Sequence, residues 1–224
     1  MIKQLVSVLS LAMPWPLRRR VLGAVCGYRI HPTARIGMSV VLCDELEMGP
    51  HAVISHLTVI KGLRRVALGE HAILGSLNWV SGFPVGLTDS PHFRDAVGRD
   101  PALIIGRHAA VTSRHLIDCT DTVTLGPYTT FAGYRSQILT HSVSIRESKQ
   151  RCAPVTIGAY CFVGTRSVLL PGSSLPDYSV LAAGAVLNRS MEAPHMLYGG
   201  CPAKAVQELP EDLAYFQREA GYIN

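Results

Sequence analysis

The aliphatic residues of this chain recur every six positions over most of its length. A period of six fits neither an α-helix nor a simple alternating strand, so it predicts a repeating coil whose equivalent side chains stack inward. Three such units would complete one turn of a three-sided prism with a continuous buried column. The residues in this register are Ile30, Ile36, Leu42, Met48, Ile54, Ile60, Leu68, Leu74, Val80, Ile105, Val111, Ile117, Leu125, Phe131, Ile157, Val163, Leu169, Leu175, Leu181 and Leu187.

The coil occupies residues 30–207 and forms the central part of the chain. Two segments rich in glycine, proline or charged residues interrupt it, at 82–104 and 142–155, and both are predicted to be loops that leave the surface. The closing segment, 208–224, contains a proline followed by acidic residues and a later glycine. That order predicts a short helix over 210–221.

Residues 1–29 precede the coil, and two roles are open to them. An apolar stretch from Leu5 to Trp15 is followed by three consecutive arginines from Arg18, a combination suited to a helix at a membrane surface. The stretch is too short to span a bilayer and lacks a small-x-small cleavage site. Solenoids generally need an atypical terminal unit, so a helix that caps the open end of the coil is favoured. The two roles are compatible.

The composition is that of one globular domain with a basic surface. The 224 residues are 48% hydrophobic, and no polar linker divides them. A net charge of +5 allows an anionic partner, but the positive residues are mostly scattered and no nucleic-acid motif is present. The six cysteines include no C-x-x-C pair, which argues against a disulfide framework and a structural zinc site and favours a reducing cytoplasm.

Four runs in the C-terminal part carry a resemblance to a known family. They are Pro154-Val-Thr-Ile-Gly-Ala-Tyr-Cys-Phe-Val-Gly, Leu170-Pro-Gly, Val180-Leu-Ala-Ala-Gly-Ala-Val-Leu and Gly200-Cys-Pro-Ala-Lys-Ala-Val. Together with the six-residue period, they resemble the hexapeptide-repeat acyltransferases, nearest to the sugar and exopolysaccharide O-acetyltransferases of the galactoside and maltose acetyltransferase type. The resemblance implies an all-β fold, the left-handed parallel β-helix, in a homotrimer with active sites between subunits.

The resemblance also implies a reaction. Acetyl-CoA would donate its acetyl group to a hydroxyl of a sugar or glycan precursor by direct attack, with no metal ion. The basic surface and the N-terminal segment suit a lipid-linked acceptor, which favours exopolysaccharide or capsule biosynthesis at the inner face of the membrane. A scaffold that has lost catalysis, and an N-acetyltransferase that acts on an antibiotic or another amine, are the alternatives.

His141 stands where this family has its catalytic histidine, after Leu139-Thr at the start of the second interruption. An alcohol is a weak nucleophile at neutral pH, and an imidazole that titrates near neutrality can take its proton during attack on a thioester. A base works best when an acceptor holds its second nitrogen. Asp118 and Asp121 are the candidates one turn earlier. Asp121 ranks first because its slot in the six-residue unit is nearer to that of His141.

The same alignment assigns five positions to the CoA side of the site. Thr165 stands where a hydroxyl or a backbone N–H would polarise the thioester carbonyl. Phe162 replaces the tryptophan that is usual in the family, which reduces the stacking area at that wall. Ala183 matches a small residue that lets the backbone approach the pantetheine arm, and Arg189 and Lys204 match basic positions near the nucleotide phosphates.

A metal site of the γ-class carbonic anhydrase kind is a further alternative. His51 and His56 have the five-residue separation found in that branch, but their slots in the repeat differ in phase from the metal-binding slots. His71, His108 and His115 supply no obvious third ligand. The sequence therefore predicts no metal, and these histidines are interpreted as residues of coil corners or interfaces.

Overall fold

The structure, a computed structural model, describes residues 2–86, 92–93, 96 and 98–223. Its helices are α1 (Ile2–Leu9), α2 (Trp15–Cys26) and α3 (Ala214–Gln217), with a 3-10 turn at Ser10–Ala12. The strands are β1 (Arg29–Ile30), β2 (Arg35–Ile36), β3 (Val40–Met48), β4 (Val53–Ile54), β5 (Val59–Leu68), β6 (Ile73–Leu74), β7 (Trp79–Ser81), β8 (Ala102–Ile105), β9 (Ala110–Val111), β10 (Leu116–Asp118), β11 (Val123–Leu125), β12 (Thr130–Phe131), β13 (Gln137–Ile138), β14 (His141–Ser144), β15 (Lys149–Cys152), β16 (Val155–Ile157), β17 (Phe162–Val163), β18 (Val168–Leu169), β19 (Ser174–Leu175), β20 (Val180–Leu181), β21 (Val186–Leu187), β22 (Met196–Gly200) and β23 (Ala203–Glu208).

These strands wind into a three-sided coil, as the six-residue period predicts. Face 1 is the parallel series β2-β4-β6-β9-β12-β17-β20-β22, which ends in the antiparallel β22–β23 hairpin. Face 2 contains the first parts of β3 and β5, followed by β7, β10, β13, β18 and β21. Face 3 contains β1, the second parts of β3 and β5, and then β8, β11, β16 and β19. This is the predicted left-handed parallel β-helix.

The core is the column of side chains that point into the coil. Most of the predicted register is buried there, and Ile54 and Phe131, for example, are 0% exposed. Ile30 is partly buried against the core, and Leu42 is half-buried on the outside because Val41 takes the inward position of the first coil. Val41 comes only five positions after the inward Ile36, one fewer than the period, and a one-residue shift in a strand exchanges its inner and outer faces.

Both interruptions leave the coil at the corner between faces 2 and 3, which we call the loop corner. The first joins β7 to β8, and the second joins β13 to β16. One coil lies between them, and its turn at the loop corner joins β10 to β11. The corner therefore gathers two excursions and one short turn from three consecutive coils.

The two interruptions differ in structure. The predicted loop 142–155 is largely an antiparallel hairpin of β14 and β15, in which His141 pairs with Cys152. The predicted loop 82–104 ends earlier than expected, because β8 begins at Ala102. Residues 87–91, 94–95 and 97 of that loop lie outside the described residues.

The N-terminal helices cover the first coil. The Ser7 hydroxyl donates a hydrogen bond to Val41 O (2.9 Å). Arg18 donates to Gly37 O (2.6 Å) and Ser39 O (2.7 Å), and it is only 3% exposed. These carbonyls lie at the end of the coil, and a buried carbonyl needs a donor. The segment has the capping position predicted for it, whereas Arg18 does not belong to a solvent-facing polar surface.

A stack of rings lines the corner between faces 3 and 1. Every member has a left-handed backbone, and neighbouring ring centroids lie 4.6 to 5.3 Å apart. The stack consists of His51, His71, His108, Tyr128, Tyr160, Tyr178 and His195. Stacked rings turn their faces to one another, so their in-plane nitrogens do not converge on a metal ion. Among the described residues, no group of three His, Cys, Asp or Glu side chains could hold one.

The closing segment packs against this ring stack. The predicted helix over 210–221 is wrong in length, because α3 has only four residues and the chain is extended at Arg218. Tyr215 Oη donates to Cys161 O (2.9 Å), and the Phe216 ring meets the Tyr178 ring edge-on at 5.7 Å. Arg218 also donates to Tyr128 O. These contacts follow the corner of the coil, which a continuous helix would leave.

Candidate active site

The loop corner holds His141 against Asp118. His141 begins β14, Asp118 ends β10 in the preceding coil, and His141 Nδ1 lies 2.7 Å from Asp118 Oδ2. The same carboxylate oxygen accepts hydrogen bonds from the backbone N–H groups of Thr140 (2.8 Å) and His141 (3.1 Å). One carboxylate thus holds both the imidazole and the start of the hairpin that carries it.

This arrangement determines which ring nitrogen is basic. A carboxylate only accepts, so Nδ1 of His141 carries the proton and Nε2 is left with a lone pair. The hydrogen bond to Asp118 raises the pKa of His141, although burial opposes the rise. Burial also disfavours the charged form of Asp118, but hydrogen bonds from His141, Thr120 and Thr140 outweigh it and lower the pKa of the carboxyl. The pair can therefore accept a proton at Nε2 while Asp118 stays ionised.

The ranking of Asp121 above Asp118 is wrong. Asp121 Oδ1 accepts hydrogen bonds from the backbone N–H groups of Thr122 (2.8 Å) and Asp100 (3.2 Å). It therefore stabilises the turn that leads into β11 and the end of the first interruption. Asp118 lies at the end of β10, on face 2, before the turn. His141 follows β13, which is the neighbour of β10 on the same face in the next coil. Slot counting ignores the direction of a side chain at a turn, and here the direction decides.

An aromatic wall covers the imidazole. The rings of Phe83 and Phe93 meet the His141 ring almost at right angles, with centroids 5.5 and 5.8 Å away. Arg99 secures this wall, because it donates to Phe83 O (2.5 Å) and Thr120 O (3.1 Å) and lies 4.8 Å over the Phe93 ring. Sequence reasoning missed all three residues. The signal for Phe83 and Phe93 was the presence of aromatic residues in a long interruption, and Arg99 had none.

The positions predicted to meet the thioester lie at a different corner, between faces 1 and 2. Thr165 and Ala183 are neighbours there, one coil apart, and the N–H of Gly184 donates to Thr165 O (2.9 Å). The Thr165 hydroxyl bonds to the preceding coil, where it donates to Tyr134 O (2.9 Å) and accepts from Tyr134 N (3.0 Å). The structure brings Thr165 and Ala183 together, but within one chain they do not join His141.

The remaining predicted CoA positions are near the last coils. Phe162 lies on the outer side of face 1, and its ring meets Tyr215 edge-on at 6.0 Å. Arg189 is exposed and lines a cleft of about 420 Å³ that also includes Ala205. Lys204, the residue before Ala205 in β23, is exposed as well. Arg189 and Lys204 thus lie on the last turns of the coil, and only Arg189 lines the cleft.

Sequence comparison finds short matches to acetyltransferases. No family model matches the chain. A stretch of 67 residues is 33% identical to a Staphylococcus aureus (strain Mu50 / ATCC 700699) protein named "Putative acetyltransferase", and it covers 30% of this chain and 33% of that protein. A stretch of the same length is 28% identical to the galactoside O-acetyltransferase of Escherichia coli (strain K12), with 30% and 32% covered. The chain thus spans about one third of the length of the curated relatives it matches.

Comparison with solved structures extends the match over most of the chain. A polysialic acid O-acetyltransferase superposes with a TM-score of 0.60 and 16% identity, over 81% of this chain and 84% of that one. A polysialic-acid-specific acetyltransferase gives 0.52 and 12%, over 81% and 74%. The chain shares the β-helix fold of these two acetyltransferases. The resemblance predicted from the repeat and the C-terminal runs is confirmed.

In this hexapeptide-repeat coil the buried cysteines are poor nucleophiles. Cys119 at the loop corner and Cys161 at the corner of the ring stack are 0% exposed, and burial raises the pKa of both thiols, to about 12 for Cys161. Burial also raises the pKa of Cys152, which pairs with His141 in the hairpin. A thiolate is the reactive form of cysteine, so these residues stay protonated at neutral pH. The imidazole of His141 at the loop corner is suited to proton transfer.

Proposed function

We propose that the protein is an acetyl-CoA-dependent O-acetyltransferase that acts on a hydroxyl of a sugar or glycan precursor. The observation that carries this proposal is the His141–Asp118 pair, with 2.7 Å between Nδ1 and Oδ2, beneath an aromatic wall at the loop corner. A fixed imidazole with a free Nε2 is what the deprotonation of an alcohol requires. The fold supports the proposal, since solved proteins that share it are acetyltransferases.

The reaction is a direct transfer. The acceptor hydroxyl gives its proton to His141 Nε2 as its oxygen attacks the carbonyl carbon of the thioester. The tetrahedral intermediate then collapses, the C–S bond breaks, and the CoA thiolate takes the proton from the imidazolium. Asp118 stays ionised throughout and stabilises the imidazolium through Nδ1–H. A positioned base of this kind contributes about 10²- to 10⁴-fold to the rate.

The donor site uses the corner of Thr165 and Ala183, with Arg189 and Lys204 near the nucleotide phosphates. Because the Thr165 hydroxyl is bonded to Tyr134, Thr165 acts on the thioester carbonyl through its backbone N–H. This corner and His141 are separate within one chain. We therefore propose a homotrimer in which the His141 corner of one subunit faces the Thr165 corner of its neighbour.

The N-terminal cap suits a peripheral contact with a membrane. Leu5, Val8 and Leu9 of α1 are 60%, 50% and 61% exposed, and their spacing puts them on one helix face. In the part of the chain that the structure describes, no helix is long and apolar enough to cross a membrane. We propose a cytoplasmic protein that touches the inner face of the membrane and modifies a lipid-linked precursor of a surface glycan.

Thiol release from acetyl-CoA tests this function. The assay uses a panel of sugars, nucleotide sugars and amino alcohols, and a thermal shift with CoA is measured in parallel. Release that depends on a sugar, with a shift by CoA, supports the O-acetyltransferase. Release only with amines would replace it by an N-acetyltransferase. If no thiol is released and CoA does not shift the melting temperature, the protein is a scaffold and not an enzyme.

A further inference from the structure

A cavity of about 520 Å³ opens at the loop corner of the first three coils, beneath α1. Its walls include Lys3 from α1, Leu42 and Asp44 from β3, Lys61 from β5, and Gly82 and Pro84 from the first interruption. The volume falls within the range of small-molecule sites, about 300 to 1,000 Å³. The mechanism proposed above uses none of these residues.

The cavity lies directly beneath the catalytic corner. Gly82 and Pro84 flank Phe83, whose ring packs against His141. A Cβ at Gly82 would lie 2.4 Å from Cys119 O, so Gly82 stacks under the turn that follows Asp118. His141 is one coil further along. At roughly 4.8 Å per coil, about 10 Å separates the Gly82 wall of the cavity from the imidazole along the corner.

The sequence builds this cavity through its departures from the six-residue period. Ile60 and Leu68 are eight positions apart, and the extra residues widen the corner of β5. Gly62 has a φ of 76°, and a Cβ there would lie 2.2 Å from Gly82 O. The five-residue step from the inward Ile36 to the inward Val41 leaves Leu42 facing outward, where it is a wall of the cavity. The irregular steps that would weaken a uniform coil therefore coincide with one site.

Among the described residues that line the cavity, the charged groups are two ammonium groups and one carboxylate. Lys3 Nζ donates to Asp44 O at 3.3 Å and thereby stays at the cavity. Lys61 Nζ lies 4.8 Å from the centroid of the Trp79 ring, which is 44% exposed on the outside of face 2. The ammonium group lies over the indole, so an anion that binds to Lys61 lies beside the Trp79 ring. Asp44 can accept hydrogen bonds from sugar hydroxyls.

We propose that this cavity binds the anionic part of the acceptor, a sugar that carries a carboxylate or a phosphate. Lys3 and Lys61 neutralise the anion, and the hydroxyl to be acetylated extends along the corner to His141. This inference rests on the proposed function, because it names the acceptor class of the same site. A sugar acid and a glycosyl phosphate share the chemistry, and the probes below distinguish them.

Binding is measured by tryptophan emission, independently of transfer. The chain has two tryptophans, so Trp15→Phe leaves Trp79 as the only reporter. Sodium glucuronate, glucose 1-phosphate and neutral glucose are titrated into this variant, and then into the same variant with Lys61→Met or Lys3→Met. Arg35→Met is the matched control, because Arg35 is an exposed cation on face 1.

We expect an anionic sugar to change the Trp79 emission where glucose does not, and Lys61→Met to weaken that binding about tenfold or more. Arg35→Met should leave it unchanged. A response to glucuronate alone identifies a sugar acid, and a response to glucose 1-phosphate alone identifies a glycosyl phosphate. An equal response to glucose, no response to either anion, or equal losses in Lys61→Met and Arg35→Met would overturn the proposal.

The same data separate this inference from the proposed function. If acetyl transfer is unchanged in Lys61→Met and Lys3→Met, the acceptor does not bind in the cavity, and the proposed transferase activity stands. Lysine-dependent binding of an anionic sugar that is never acetylated would keep the cavity site and remove the transferase.

Discussion

Replacing Asp118 with asparagine removes a charge and keeps the shape of the side chain. Oδ1 accepts from the N–H (3.2 Å) and the hydroxyl (2.7 Å) of Thr120. Oδ2 accepts from the N–H and the hydroxyl of Thr140 (2.8 and 2.9 Å), and from the N–H and Nδ1–H of His141 (3.1 and 2.7 Å). An amide has one acceptor oxygen and one NH₂ group. In either orientation, therefore, the NH₂ group of the asparagine faces hydrogen-bond donors and loses those bonds. We expect a lower melting temperature for Asp118→Asn.

The loss of rate follows from the hydrogen bond to the imidazolium. A hydrogen bond to a charged group contributes about 1.5 to 3 kcal/mol, and each 1.36 kcal/mol in the barrier is a factor of about ten. Asp118→Asn should therefore lower kcat by roughly 10- to 150-fold. Asp118 raises the pKa of His141. Since the base must be neutral, activity falls as the pH drops through that pKa. The variant should keep its remaining activity to lower pH than the wild type.

The assay is the pH profile of kcat/KM for acceptor-dependent thiol release. Asp121→Asn is the matched control, because the asparagine oxygen can still accept from Thr122 and Asp100. We expect the control to stay within about twofold of the wild type and to keep its acidic limb. Equal losses in the two variants, or an acidic limb that does not move in Asp118→Asn, would refute the role of Asp118.

Three further predictions concern the donor site, the corner and the cap. Lys204→Glu should weaken binding of CoA more than binding of an analogue without the nucleotide phosphate, measured by calorimetry, and equal losses would move Lys204 away from the phosphate. Gly62→Ala should lower the free energy of unfolding by about 3 kcal/mol, since its Cβ would meet Gly82 O. Gly184 has a φ of 72° but open space around its Cα, so Gly184→Ala should lower the free energy of unfolding by only about 1 kcal/mol. Similar urea midpoints for Gly62→Ala and Gly184→Ala would contradict the close approach of Gly62 to Gly82 O. Leu5→Ser should reduce cosedimentation with anionic lipid vesicles, and unchanged binding would argue against the α1 contact.

The coil was predictable from sequence because its core is encoded locally. Each inward residue stacks on its equivalent in the next coil, so burial such as that of Ile54 and Phe131 repeats with the period. The period does not encode local register. Leu42 fits the spacing, but the turn after Ile36 is one residue short, so Val41 lies inside and Leu42 outside. The predicted helix over 210–221 carried good local signals, and packing of the segment on the ring stack overrode them.

The site was predictable only in part. His141 follows from a local motif at a known point of the repeat. Its partner does not, because Asp118 and Asp121 lie on opposite sides of one turn, and only Asp118 reaches His141 in the next coil. The aromatic wall of Phe83 and Phe93 depends on how a long interruption folds back, through contacts such as that of Arg99 with Thr120. Such contacts join residues far apart in the chain, and no spacing rule encodes them.

The most direct test of the account is kcat for acceptor-dependent acetyl transfer in His141→Ala, beside a His56→Ala control. His56 is an exposed histidine at another corner, where its Nδ1 accepts from Met38 N (3.2 Å). We expect His141→Ala to lower kcat by about two to four orders of magnitude and to keep its thermal shift with CoA, while His56→Ala remains close to the wild type. A His141→Ala variant that transfers acetyl groups as fast as the wild type would contradict the account.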